Sequence, residues 1–159
     1  MRRFVSVAFA LATLASPLAA QSHPDFSGKW TLDPKTAETG GMPGPTSGTL
    51  TVAQDAKVVK VESVATSQMG DQKSSMTYNL DGTAAKNTIS ANGMSMDLSS
   101  TTKWEDKGLA ITTTGDMGGQ TLTMTEHWSL DDTGKVLHMQ RDISAGGQSV
   151  TMKFTFNKQ

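Results

Sequence analysis

From residue 28 onward the chain reads as short runs in which apolar and polar residues alternate, each run cut off by Gly, Asn or Asp. A period of two sends successive side chains to opposite faces of an extended strand. Thr, Val and Met are frequent and a 3.6-residue period is almost absent, so strands dominate. The pattern predicts strands over 28–33, 47–54, 57–66, 72–80, 84–90, 94–104, 108–115, 120–130, 135–144 and 148–157. Separators such as Asp81-Gly82, Asn92-Gly93, Gly118-Gly119 and Gly146-Gly147 suit tight hairpins, because these residues accept positive φ. Ten strands joined this way predict an all-β fold, an up-and-down antiparallel β-barrel whose closure leaves no exposed edge. An open sheet folded into a sandwich is the alternative. The segment DPKTAETG (33–40) has room for a helical turn, expected to close one mouth of the barrel.

A weak repeat runs through the same pattern. GGQTLTM (118–124) recurs as GGQSVTM (146–152), with looser echoes at GDQKSSM (70–76) and NGMSM (92–96). Each echo opens a strand at the same end of the sheet. Met76, Met96, Met124 and Met152 are therefore expected in roughly one inward layer, extended by Met94 and Met139.

One position breaks the alternation. In TLTMTEHWSL (121–130) the apolar face carries Leu122, Met124, Trp128 and Leu130, and Glu126 shares it. A carboxylate among buried apolar groups needs a partner or an open cavity. In the next strand Leu137, Met139 and Ile143 set the inward face, and Arg141 shares that one. A turn confined to 131–134 puts Glu126 diagonal to Arg141, whereas a six-residue loop puts them directly opposite. The pair is read either as an internal ion pair that fixes register or as the polar anchor of a ligand pocket, and the two are compatible.

Composition narrows the setting. The chain opens MRRFVSVAFALATLASPLAA, two arginines, an apolar run and small residues, which is the pattern of a secretory signal peptide over 1–20. Residues 21–159 then form one domain, expected in the periplasm or secreted, with no integral membrane segment after cleavage. Cysteine is absent, which excludes disulfides, thiolate metal sites, a thiol nucleophile and a lipid-anchored N-terminal cysteine. Fourteen basic and fifteen acidic residues nearly balance, and no basic run is interleaved with aromatics, so nucleic acid is not an expected partner.

FSGKW (26–30), YNLDG (78–82), EHWSLDDTGKVL (126–137) and the pair KW (103–104) with LAI (109–111) together resemble the exported bacterial lipocalin-like proteins. Gly28-Lys29-Trp30 is similar to the Gly-x-Trp that lipocalins carry on the first strand. The resemblance implies a calycin-type barrel with a cavity for a small hydrophobic or amphipathic molecule. It also implies a basic residue packed across Trp30, for which Arg141 is the matching candidate. The ten strands exceed the lipocalin eight, and no second lipocalin motif is recognisable.

The expected ligand-binding residues are Trp30, Tyr78, Met96, Trp104, Met124, Glu126, Trp128, Met139, Arg141, Met152 and Phe154. Aromatic rings supply walls, methionines an adaptable lining, and Arg141 with Glu126 the polar contact. No cofactor is implied. Two other classes compete: a structural or interaction module of the envelope with a packed barrel, and a Met-based copper-binding protein using Met96 and Met124. His127 and His138 both face outward, as direct neighbours if the shorter turn holds, and lack a third ligand. His23, third after the expected cleavage, fits an amino-terminal Cu(II) or Ni(II) chelate only if Gln21 is the free terminus. Catalysis is not expected: no nucleophile elbow or phosphate-binding loop is present, and a paired Glu126 is poorly poised as a general base.

Overall fold

The computed structural model describes residues 23–68, 70–91 and 94–159. Residues 1–20, expected to form a signal peptide, and the Met94 side chain lie outside the described residues. Ten strands form: β1 (Gly28–Leu32), β2 (Ser47–Gln54), β3 (Val58–Ser67), β4 (Gly70–Asn79), β5 (Ala85–Ala91), β6 (Met94–Glu105), β7 (Gly108–Asp116), β8 (Thr121–Leu130), β9 (Val136–Ala145) and β10 (Gln148–Lys158). Each lies within two residues of the run that the alternation marks out.

All ten belong to one antiparallel sheet in the order β4-β3-β2-β1-β10-β9-β8-β7-β6-β5. Consecutive strands are neighbours throughout except at β4 and β5. The remaining junction joins the first strand to the last, with Trp30 opposite Lys158 and Leu32 opposite Phe156. That junction rolls the sheet up until its two edge strands, β4 and β5, lie side by side, so the barrel is nearly closed. The inward positions form one core, in which Phe26, Trp30, Val59, Leu109 and Leu137 are completely buried. Each such side chain contributes about 1.5–3 kcal/mol on leaving water.

The two ends differ. The turns after β3, β5, β7 and β9 lie at one end, so the four repeat echoes do share an end of the sheet, here named the mouth. The turns after β2, β4, β6 and β8 lie at the other, the floor. The floor is sealed by residues 23–27, which precede β1. Phe26 packs edge-on to Trp128 with ring centroids 5.7 Å apart, and its carbonyl accepts the Trp30 Nε1–H at 3.0 Å. Gln54 fastens the segment, accepting the Phe26 N–H and donating to the Pro24 carbonyl.

The DPKTAETG segment does not cap the barrel. It makes one 3-10 turn at Pro34–Thr36, with Asp33 as N-cap and Pro34 at its start, as helix entry favours. It then follows β10, through Asp33 N–H to the Thr155 carbonyl and an isolated bridge of Glu38 with Lys153. The reason lies in the short β1, whose ladder with β10 ends at Leu32 and leaves the Thr155 and Lys153 backbone groups to be satisfied by whatever follows.

Candidate functional site

The barrel interior contains a cavity of about 310 Å³ that opens toward the mouth. Its apolar lining includes Leu50, Met76, Met124, Trp128, Met139 and Phe154, and its polar lining includes Tyr78, Glu126 and Arg141. Strand alternation explains the set, since each of these side chains occupies an inward position of its strand.

Glu126 and Arg141 stand directly opposite each other on β8 and β9, because the turn between Leu130 and Leu137 uses six residues. Asp131 sets that length: its carboxylate accepts from the Lys135 and Val136 amides, each at 2.9 Å, and from the Thr133 hydroxyl at 2.6 Å. The same register places His127 opposite Gln140 and His138 opposite Ser129, so the two histidines are not cross-strand neighbours. His127 Nδ1 pairs instead with Glu105 Oε2 at 3.1 Å on the outer face.

Both oxygens of Glu126 are used. Oε1 accepts from Arg141 Nε at 2.7 Å and lies 2.5 Å from Nη2, while Oε2 accepts the Trp128 Nε1–H at 3.3 Å. Arg141 is less committed. Its guanidinium lies over the Phe154 ring, 5.6 Å from the centroid, and Nη2 points at the Met139 sulfur at 3.9 Å. Its Nη1 has no hydrogen-bond partner among the described residues, and the side chain, one-third exposed, lines the cavity. The Tyr78 hydroxyl likewise has no partner among the described residues. Burial, and then the nearby Glu126 carboxylate, raise its pKa far above the phenol range, so it stays a neutral donor. The site therefore offers unused N–H and O–H donors in an apolar cavity, beside a carboxylate that is already satisfied.

Of the eleven residues expected at the site, Tyr78, Met124, Glu126, Trp128, Met139, Arg141 and Phe154 line this cavity. Trp30, Met96, Trp104 and Met152 are not on its wall. Trp30 lies in the packed core toward the floor, and the cation over its ring is Lys158, 5.1 Å from the centroid, rather than Arg141. The β1–β10 register decides this, since it sets Trp30 opposite Lys158 while Arg141 stands opposite Met152. Trp104 is also at the floor, stacked on His23 with centroids 4.1 Å apart and lining an outer groove with Asp55, Lys57 and Asp81. Met152 packs into the core beside Arg141, and Met96 covers the glycine at 115. The methionine layer is thus split: Met76 and Met124 border the cavity, whereas Met152 lies in the core and Met96 packs against that core, both outside the cavity lining. Ser63 and Ser74, hydrogen-bonded at 2.7 Å, also line the cavity and were not expected there, although both sit at inward positions of their strands.

Among the described residues no group of three or more His, Cys, Asp or Glu side chains is placed to hold a metal ion, and no helix is long and apolar enough to cross a membrane. No family model matches the sequence, and no curated protein matches it either. The fold does match solved structures. The zebrafish ileal bile acid-binding protein complexed with cholic acid superposes with a TM-score of 0.50 at 11% identity, covering 84% of this chain and 98% of that one. The siderocalin Ex-FABP, described as functioning through dual ligand specificities, matches with a TM-score of 0.43 at 11% identity over 84% of this chain and 74% of that one. The chain therefore has a lipocalin-like, calycin-type barrel fold.

Proposed function

We propose that this barrel carries a small amphipathic molecule, with the apolar body against Met76, Met124, Met139 and Phe154 and an acidic group on Arg141. The observation that carries the reading is the unpartnered Nη1 of Arg141, in a guanidinium whose other face is fixed by Glu126. Arg141 lines the cavity and keeps N–H donors that Glu126 does not use. An arginine fixed on one side and open on the other is preorganised for a carboxylate or sulfonate. Tyr78 supplies a second donor for the same group. The similarity in fold to a bile acid-binding protein supports a cavity ligand of this kind. A cavity of 310 Å³ also weighs against the packed interaction module, whose interior would be filled.

Calorimetric titration with decanoate and with decanol tests the reading. Arg141→Ala is expected to weaken decanoate roughly ten- to a hundredfold, the range for a hydrogen bond to a charged group, and to change decanol binding little. Lys153→Ala, on the outer face, should leave both unchanged. Equal losses for Arg141→Ala and Lys153→Ala would reject the anchor. The reading includes export, supported by the arginines, apolar run and small residues of segment 1–20, and N-terminal sequencing of protein recovered from a bacterial periplasm tests it.

A further inference from the structure

The two edges of the sheet meet at β4 and β5, and no ladder of backbone hydrogen bonds joins them. Side chains join them instead, but only toward the floor. The Thr77 N–H donates to Asn87 Oδ1 at 2.7 Å, and Asn87 Nδ2 donates to the Thr77 carbonyl at 2.9 Å. One side-chain amide thus replaces the donor and acceptor that a facing backbone residue would present. Closer to the floor the β4–β5 turn is tied down, with Asn79 Nδ2 donating to the Ala84 carbonyl at 3.4 Å and Thr102 Oγ1 of β6 donating to the Asn79 carbonyl at 2.5 Å. Asn87 is braced from behind: Nδ2 also reaches Ser100 Oγ at 3.3 Å, and Ser100 Oγ lies 2.9 Å from Thr113 Oγ1, all three residues being buried.

Above Asn87 the seam is open. Between residues 70–76 of β4 and 88–91 of β5 no hydrogen bond is made among the described residues. The cavity reaches this same stretch, bordered by Lys73 and Ser74 on one side and Ile89 and Ser90 on the other. Lys73 and Ser90 are exposed, outward positions of their strands, and they border an interior space where no ladder separates the two faces. The mouth therefore continues down the seam as a slot, and Asn87 marks its lower end.

We propose that this slot is the route by which ligand enters and leaves the cavity, and that Asn87 is the latch that limits how far it parts. The inference rests on the carrier reading above. Parting any other pair of strands breaks a run of backbone hydrogen bonds, whereas widening the slot by one step breaks only the two bonds between Asn87 and Thr77.

The test uses 8-anilinonaphthalene-1-sulfonate, an amphipathic anion that fluoresces in apolar surroundings, followed by stopped flow. Asn87→Ala is expected to raise association and dissociation rates together, about fivefold or more, with Kd changed less than about twofold. In the opposite direction, Lys73→Cys with Ser90→Cys, bridged by a short bismaleimide, should slow both rates about tenfold relative to the same protein unbridged. The absence of native cysteine makes the bridge specific. A bridged protein that exchanges the probe as fast as the unbridged one overturns the route, and this arm decides the question even if Asn87→Ala does not fold. A rise in dissociation rate alone, with affinity lost in proportion, also overturns it. Hydrogen exchange at the Thr77 amide reads the latch without any ligand: protection should fall in Asn87→Ala, and unchanged protection rejects the latch. If no form binds the probe, the carrier reading and the route fall together, and Thr77 exchange still judges the latch.

Discussion

Glu126 is almost fully buried, and its two oxygens are taken by Arg141 and Trp128. Removing one member of a buried ion pair leaves the other without compensation, which costs about 3–5 kcal/mol. Because Arg141 is one-third exposed, the low end of that range applies. Arg141→Met should therefore lower the urea-unfolding free energy by about 3 kcal/mol, and Glu126→Leu combined with Arg141→Met should recover much of the loss, because no orphaned charge remains. A double variant as unstable as the single one would contradict this account. Both partners were legible in the sequence because each interrupts an apolar face, and a charge at an inward position demands an explanation. The cation over Trp30 was not legible in the same way. Lys158 is the last residue of the last strand, where alternation carries little information, and only the pairing of first strand with last brings it to Trp30.

At the scale of elements, the ten strands could be read because a period of two is written locally in each run, whereas the gap between β4 and β5 could not. Whether two strands pair is decided by the closure of the whole sheet, and Asn87 in AKNTISA looks like any polar residue until Thr77 stands beside it. One close approach was also invisible. A Cβ on Gly108 would lie 1.9 Å from the Trp128 carbonyl oxygen, a backbone atom that the β7–β8 ladder fixes in place. Gly108→Ala should lower stability by about 1–3 kcal/mol, the scale of forced backbone shifts, as a drop in urea midpoint with an unchanged slope. Three floor turns are clamped by an aspartate, at Asp55, Asp81 and Asp131, and in each the hydrogen bonds hold the carboxyl pKa below its usual value. For Asp131 the Thr133 hydroxyl is the largest influence, and the pKa falls to about 2. A depressed native pKa stabilises the fold above the ordinary carboxyl value, and that contribution disappears as pH falls through the native one. The stability difference between wild type and Asp131→Asn should accordingly be constant at neutral pH and shrink between about pH 4 and pH 2. A difference that persists at pH 2 would show that the charged turn is not its source.

For the whole molecule, a ligand bound only by the folded barrel must stabilise it. At a hundred times Kd the gain is about 2.7 kcal/mol, enough to raise Tm by roughly 10 °C for a domain of this size. Decanoate should produce that rise in wild type and much less of it in Arg141→Ala, and an equal rise in both would place the ligand elsewhere. The sealed floor has a consequence for orientation. The first described residues close it, and the last strand ends there too, with the Gln159 N–H donating to the Lys29 carbonyl at 2.9 Å. Both ends of the described chain thus emerge at the pole opposite the cavity entrance. A reporter domain, a surface linker or an immobilising tag joined at either end would hold the barrel like a cup on its stem, with the opening turned outward and unobstructed.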